Sequence, residues 1–342
     1  MRAHELERTA QALVGKPRGI LAADESNGTC DKRLKKVGVE GNIESRRAYR
    51  DLLFTTPDLG EFVSGVILYD ETIRQQSLAG RSFVEVLQKQ GIMPGIKVDT
   101  GAKDLAGFPG EKVTEGLDGL RERLQEYVTL GARFTKWRAV ITIGEGTPTR
   151  GCIEANAHAL ARYAALAQEA GLVPIVEPEV LMDGNHTIER SYEVTEETLK
   201  TVFGELYRQR VTLEHMLLKA SMVISGAECR TQAGVEAVAA QTLRCLKSVV
   251  PAALPGVVFL SGGQSDERAT AHLNAMNQMA DKSVPWPLSF SYARAIQQPA
   301  LDLWRGQKEN ISRAQAALAH RARMNSLASL GRYNPDIEKQ VA

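Results

Sequence analysis

Apolar residues along this chain gather into eight short runs whose starts lie 29 to 46 residues apart. In order they are GILAAD (19–24), GVILYDE (65–71), PGIKVD (94–99), RFTKWR (133–138), VPIVEPE (173–179), MLLK (216–219), GVVFLSGG (256–263) and PLSFSYAR (287–294). Each has the length of a strand, and the stretches between them carry helical spacing. Strands buried on both faces read as near-continuous apolar runs, and eight alternations of strand and helix predict an α/β fold of the (β/α)8 TIM-barrel class. Because sites in such barrels lie at the C-terminal strand ends, the polar residues closing these runs acquire a common destination. Asp24, Lys97, Lys136, Arg138, Glu177, Glu179, Lys219, Ser261 and Arg294 are all expected on one bowl.

The intervening pattern supplies the helices. Leu120, Leu124, Tyr127 and Val128 form a stripe ended by Gly131, and Leu160, Ala164 and Ala167 form another ended by Gly171. A third helix is predicted from Thr195, read as a hydroxyl cap before Glu196 and Glu197, with Leu199, Val202, Phe203 and Leu206 buried. Leu6, Ala10 and Leu13 predict an N-terminal helix, and residues 310–330 an additional C-terminal helix outside the barrel. Two glycine-rich polar stretches, 100–116 and 144–151, read as loops at the active face. No linker or repeat divides the chain, so residues 1–342 are expected to be a single barrel domain.

Composition narrows the chemistry. With 42 basic and 41 acidic side chains the net charge is +1, which provides no footprint for nucleic acid or an anionic membrane surface. No segment is long and apolar enough to span a bilayer, and the N-terminus lacks the apolar core of a secretory signal. Cys30, Cys152, Cys229 and Cys245 are scattered, so a reduced cytoplasmic setting is expected. The six histidines form no ligand pair, and neither a phosphate-binding GxxxxGK[ST] loop nor a dinucleotide fingerprint follows the first strand. No metal and no cofactor are expected, and the binding partner is expected to be a small molecule.

The two-residue period of a strand turns spacing into chemistry. Lys136 and Arg138 share one face, as do Glu177 and Glu179, so two cations and two carboxylates meet across the bowl. Lys219 follows Met216, Leu217 and Leu218. Partial desolvation and the like charge of Lys136 both favour a neutral amine there, which can attack a ketone to form a Schiff base. Taken singly, Lys219 also reads as a surface lysine, the glutamates as a turn about Pro178, and Asp24 as a cap; their shared position at strand ends separates them from those readings. Ser261, Gly262 and Gly263 offer close backbone approach to an anion, with Arg294 beside them. A second anion subsite is expected from Ser26, Thr29, Lys32, Arg33, Lys97 and Arg138, and two subsites imply a bisphosphate.

Together GILAADESNGT, GIKVD, KWR, PIVEPE, LLK, FLSGGQS and FSYAR, in this order over about residues 15–335, resemble the class I fructose-bisphosphate aldolases. The resemblance implies reversible cleavage of fructose 1,6-bisphosphate without a metal, in a homotetramer. It implies that Lys219 forms the Schiff base, Glu177 handles protons in its formation and dehydration, and Asp24 takes the C4 hydroxyl proton. Lys136 would assist electrostatically and Glu179 would hold the charged network. Ser261, Gly262, Gly263 and Arg294 would bind the C1 phosphate, with Ser26, Thr29, Lys32, Arg33, Lys97 and Arg138 on the C6 side. The chain departs from many members in having Ala220, Ser221 and Met222 after the lysine in place of Pro-Asn-Met, Ala293 for glycine, and Thr29 for serine. Asn334–Ala342 carries no aromatic or hydroxyl group and is expected to add nothing to proton transfer. The alternatives are an aldolase for another phosphorylated ketose and a barrel scaffold without turnover.

Overall fold

The structure, a computed structural model, describes residues 2–338. All eight apolar runs become barrel strands: β1 (Gly19–Ala23), β2 (Val63–Leu68), β3 (Met93–Lys97), β4 (Phe134–Ile141), β5 (Val173–Val180), β6 (Leu217–Ala220), β7 (Val257–Phe259) and β8 (Leu288–Tyr292). Each pairs in parallel with its chain neighbours, and β1 closes the ring by pairing with both β2 and β8. Lys97 lies level with Lys136, and Arg138 with Glu177. Register therefore brings the predicted residues to a common height.

Strand alternation sorts the apolar side chains into two groups. Leu21, Trp137, Val176 and Leu218 join the layer shared with the outer helices. Ile20, Ala22, Ile67, Phe134, Ile175, Leu217 and Val258 fill the barrel interior, where Leu6, Ala10 and Leu13 of the helix Arg2–Leu13 pack against them. This helix closes the N-terminal mouth. A side chain at Gly95 would approach the Phe134 ring to 2.3 Å, and one at Gly65 to 3.0 Å, so the glycines make room for that ring. Residues on the same inward parity but nearer the C-terminal ends are charged, so one geometric rule places both core and chemistry.

Three expectations are corrected. Residues 100–116 are not all loop: Gly101–Asp104 and Lys112–Glu115 form an antiparallel hairpin after β3, tied down where Thr114 Oγ1 donates to the Arg138 carbonyl at 2.8 Å. Its strands are four residues long and mostly solvated, leaving no apolar run to read. Thr195 does not start a helix. The helix is Ile188–Arg208, capped by Thr187, and Thr195 is buried within it. Ser191, Thr195 and Thr198 lie on its inner face, so small hydroxyl residues disguise the first turns as polar. Arg294 lies beyond β8, as the first residue of the helix Arg294–Trp304.

The helix Arg150–Ala170 is longer than its predicted stripe, with Thr149 as its cap. The helix Ile311–Ser329 packs on Arg294–Trp304 and Asp266–Met279, outside the barrel as expected. Glu338 pairs with His320 at 3.0 Å and with Arg321, anchoring the short helix Pro335–Glu338. The rest of the segment expected to be silent, residues 339–342, lies outside the described residues.

Candidate active site

A cavity of about 600 Å³ opens at the C-terminal ends of the strands, and every sequence-predicted site residue except Gly263 lines it. Its floor is a row of alternating charges. Asp24 Oδ2 lies 2.7 Å from Lys136 Nζ, which lies 3.1 Å from Glu177 Oε2; Glu177 Oε1 is in turn 3.0 Å from Lys219 Nζ. Three strands and the residue directly after β1 contribute these groups, and none is more than 8% exposed. Two carboxylates and two ammonium groups sum to zero formal charge. A buried ionic cluster is tolerated only when each charge meets an opposite partner, as every member here does.

The electrostatics follow from this alternation. Burial alone would raise the Asp24 carboxyl, but Lys136 and Lys219 hold it at about 2. Burial likewise disfavours ionisation of Glu177, yet Lys136, Lys219 and Arg138 pull its carboxyl below the usual range. Lys136 is driven the other way: desolvation opposes its charge, and Asp24 and Glu177 raise its affinity for the proton above the ordinary lysine value. Lys136 is thus a fixed cation. The sequence reading set Lys219 against Lys136 alone; the register adds Glu177 as a direct partner for the amine.

Above this row lie two further pairs. Arg138 is ion-paired with Glu179, and Lys97 lies 2.7 Å from Asp99 Oδ1. Asp99 also accepts the Gly101 and Arg138 backbone N–H groups, each at 3.1 Å, which fixes the start of the hairpin against β4. Asp99 and Tyr69, whose ring centroid is 6.0 Å from Lys97 Nζ, are cavity residues to which the sequence reading gave no role. Their signal was present, since both stand in the closing residues of apolar runs.

On one side of the bowl the chain turns through Gly262 at φ +59° and Gly263 at φ +97°. Two successive left-handed positions favour glycine at both. A side chain at Gly263 would also come within 3.5 Å of Arg294 Nη2 and 3.3 Å of Met182, so this glycine keeps space beside the arginine. The turn is braced by Gln264, which donates from both its backbone N–H (3.0 Å) and Nε2 (2.9 Å) to the Ser261 carbonyl. Arg294 is exposed at the cavity edge.

On the other side Ser26 and Thr29 face each other at 3.1 Å, with exposed Lys32 and Lys36 following on the same helix, Asn27–Lys36. Arg33 is differently placed from the free phosphate ligand expected. It is buried, ion-paired with Glu25, and donates to Gln297 (3.0 Å) and Gln298 (3.3 Å). Its fork is engaged within the protein. Among the described residues no group of three His, Cys, Asp or Glu side chains is arranged to hold a metal ion.

Comparison with known proteins gives a consistent result. The family model described as "Fructose-bisphosphate aldolase class-I" matches residues 5–342. A "Probable fructose-bisphosphate aldolase class 1" from Xanthomonas axonopodis pv. citri is 61% identical over 97% of this chain and 99% of its own length. A "Fructose-bisphosphate aldolase" from Dictyostelium discoideum is 52% identical over 97% of this chain and 93% of its own length. Among solved structures, the fructose-bisphosphate aldolase of Plasmodium falciparum, crystallised with TRAP and a small-molecule inhibitor, is 49% identical. It superposes with a TM-score of 0.95 over 97% of this chain and 96% of that one.

Proposed function

The chain belongs to the class-I fructose-bisphosphate aldolase family and is a lyase that reversibly cleaves fructose 1,6-bisphosphate, and we propose that it acts through a Schiff base on Lys219. The observation that carries this reading is the unbroken row Asp24–Lys136–Glu177–Lys219, with contacts of 2.7 to 3.1 Å.

In this reading Lys219 passes a proton to the Glu177 oxygen beside it, and the neutral amine adds to the substrate ketone carbon. The carbinolamine hydroxyl then leaves as water, taking the proton back from Glu177, and a positively charged iminium remains on Lys219. Asp24 removes the C4 hydroxyl proton as the C3–C4 bond breaks. The bond's electrons flow into the iminium, giving an enamine and releasing glyceraldehyde 3-phosphate. Held at about 2, Asp24 is a weak base, so the electron sink at Lys219 supplies the driving force for that step. Asp24 gives the C4 proton up to water, water supplies a proton to the enamine carbon either directly or relayed by Glu177, and hydrolysis of the imine releases dihydroxyacetone phosphate.

Lys136, a permanent cation between Asp24 and Glu177, keeps both carboxylates oriented and ionised. Glu179 restrains Arg138. The Ser261–Gly263 turn and Arg294 are assigned to the C1 phosphate, and Ser26, Thr29, Lys32, Lys97 and Arg138 to the C6 side, with Arg33 supporting Glu25 from behind. We assign residues 1–342 to one barrel domain, a homotetrameric assembly and a cytoplasmic setting; mass photometry and fractionation test the last two. Among the described residues no helix is long and apolar enough to cross a membrane.

Borohydride reduction in the presence of dihydroxyacetone phosphate, followed by peptide mass spectrometry, tests the central assignment. The adduct is expected on Lys219, with cleavage unaffected by excess EDTA. A stable adduct confined to another lysine sinks the assignment.

A further inference from the structure

The seam between β5, which carries Glu177, and β6, which carries Lys219, is irregular at the height of the chemistry. Between β4 and β5 the register runs on to Ile141 and Val180, whereas between β5 and β6 it stops at Val176 and Leu218. Pro178 explains the gap. The Leu181 N–H donates to Ile141 on the β4 side, so by alternation the backbone groups of residues 176, 178 and 180 face β6. Residue 178 is a proline and has no N–H to give.

Ser221, two residues past Lys219, closes this gap with its side chain. Its Oγ accepts from the Val180 N–H at 3.0 Å and donates to the Val180 carbonyl at 3.1 Å, and the residue is 5% exposed. One hydroxyl thereby satisfies both backbone groups of Val180, which the missing ladder leaves open. Beyond it the chain is held by further side chains, Thr242 on the Val223 N–H (2.9 Å) and Ser191 on the Ile224 N–H (3.2 Å). From these contacts we propose that Ser221 is a positioning residue that sets the spacing between the strand of Glu177 and the strand of Lys219, and so the rate at which Lys219 forms its imine. An asparagine amide would carry the same donor and acceptor pair on a longer arm.

The inference rests on Lys219 being the reacting amine, and the test separates the two claims. Wild type, Ser221→Ala, Ser221→Thr and Ser221→Asn are compared by steady-state cleavage, thermal melting and the rate of borohydride-trapped adduct formation at Lys219. Ser221→Ala is expected to lower kcat and the trapping rate together by about tenfold, with KM changed less than about twofold, because the effect falls on the chemical step. Ser221→Thr and Ser221→Asn, which keep a donor and an acceptor, are expected to recover most of that loss. Should the alanine variant fail to fold, Ser221→Cys, of similar volume but poor hydrogen bonding, takes its place. A trapping rate within twofold of wild type in the variant without the hydroxyl overturns the inference, and so does a loss that neither threonine nor asparagine repairs. An adduct on another lysine in the wild-type enzyme overturns the assignment of Lys219 itself.

Discussion

The two ends of the barrel interior are built by the same strands on the same parity and do opposite things. At the N-terminal end Ile20, Phe134, Ile175 and Leu217 form a dry layer sealed by the helix Arg2–Leu13. Two or four residues further along those strands, Asp24, Lys136, Glu177 and Lys219 form the charged row. Burial is nearly equal in the two layers, so exclusion from water does not distinguish them. What differs is how each tolerates it. The lower layer is stabilised by close packing, which is non-directional, whereas the upper layer depends on each charge meeting a specific partner at contact distance.

If that contrast is right, substitutions in the two layers should separate stability from turnover. The largest effect is expected from Phe134→Ala, which empties the space shaped by Gly65 and Gly95 and should cost about 3–5 kcal/mol of folding stability. Calorimetry and denaturant titration read the loss, while kcat per folded molecule stays within about twofold of wild type. Lys136→Met should do the reverse, lowering kcat on the order of a hundredfold or more with a small change in KM, as removal of a preorganised charge does. Unchanged kcat with a raised KM would reduce Lys136 to a substrate anchor and weaken the contrast.

Acid titration sharpens the comparison further. Asp24 is held at about 2 when folded against an ordinary 3.8, so its stabilising contribution is complete above about pH 4 and is lost as pH falls through about 2. Urea melts over that window should show wild type losing on the order of 2 kcal/mol more than Asp24→Asn. Parallel losses would mean that Lys136 holds Asp24 less tightly than the geometry implies. The smallest effect is expected at the rim. Arg294 is exposed, and Arg294→Ala should raise KM for the bisphosphate by about tenfold while changing kcat less than about threefold. A dominant kcat effect would move Arg294 from phosphate binding into the chemistry.

By itself the sequence determined the eight strands, the inward parity of Lys136, Arg138, Glu177 and Glu179, and the placement of Lys219 and Asp24 at strand ends. These are local properties, because a strand's period and a run's apolarity are written in consecutive residues. The hairpin Gly101–Glu115 and the true start of the helix Ile188–Arg208 were not legible, since pairing across a hairpin and burial of small hydroxyl residues depend on what packs against them. The same holds for partners. Only the tertiary structure decided that Glu177 touches both lysines, that Arg33 is engaged by Glu25, Gln297 and Gln298, that Asp99 ties Lys97 to β4, and that Ser221 bridges the gap left by Pro178. Apart from the Arg33–Glu25 and Lys97–Asp99 pairs, which are neighbours along the chain, these are contacts at about 3 Å between segments far apart in sequence. Such distances are set by register and barrel closure, and no spacing within a single segment encodes them.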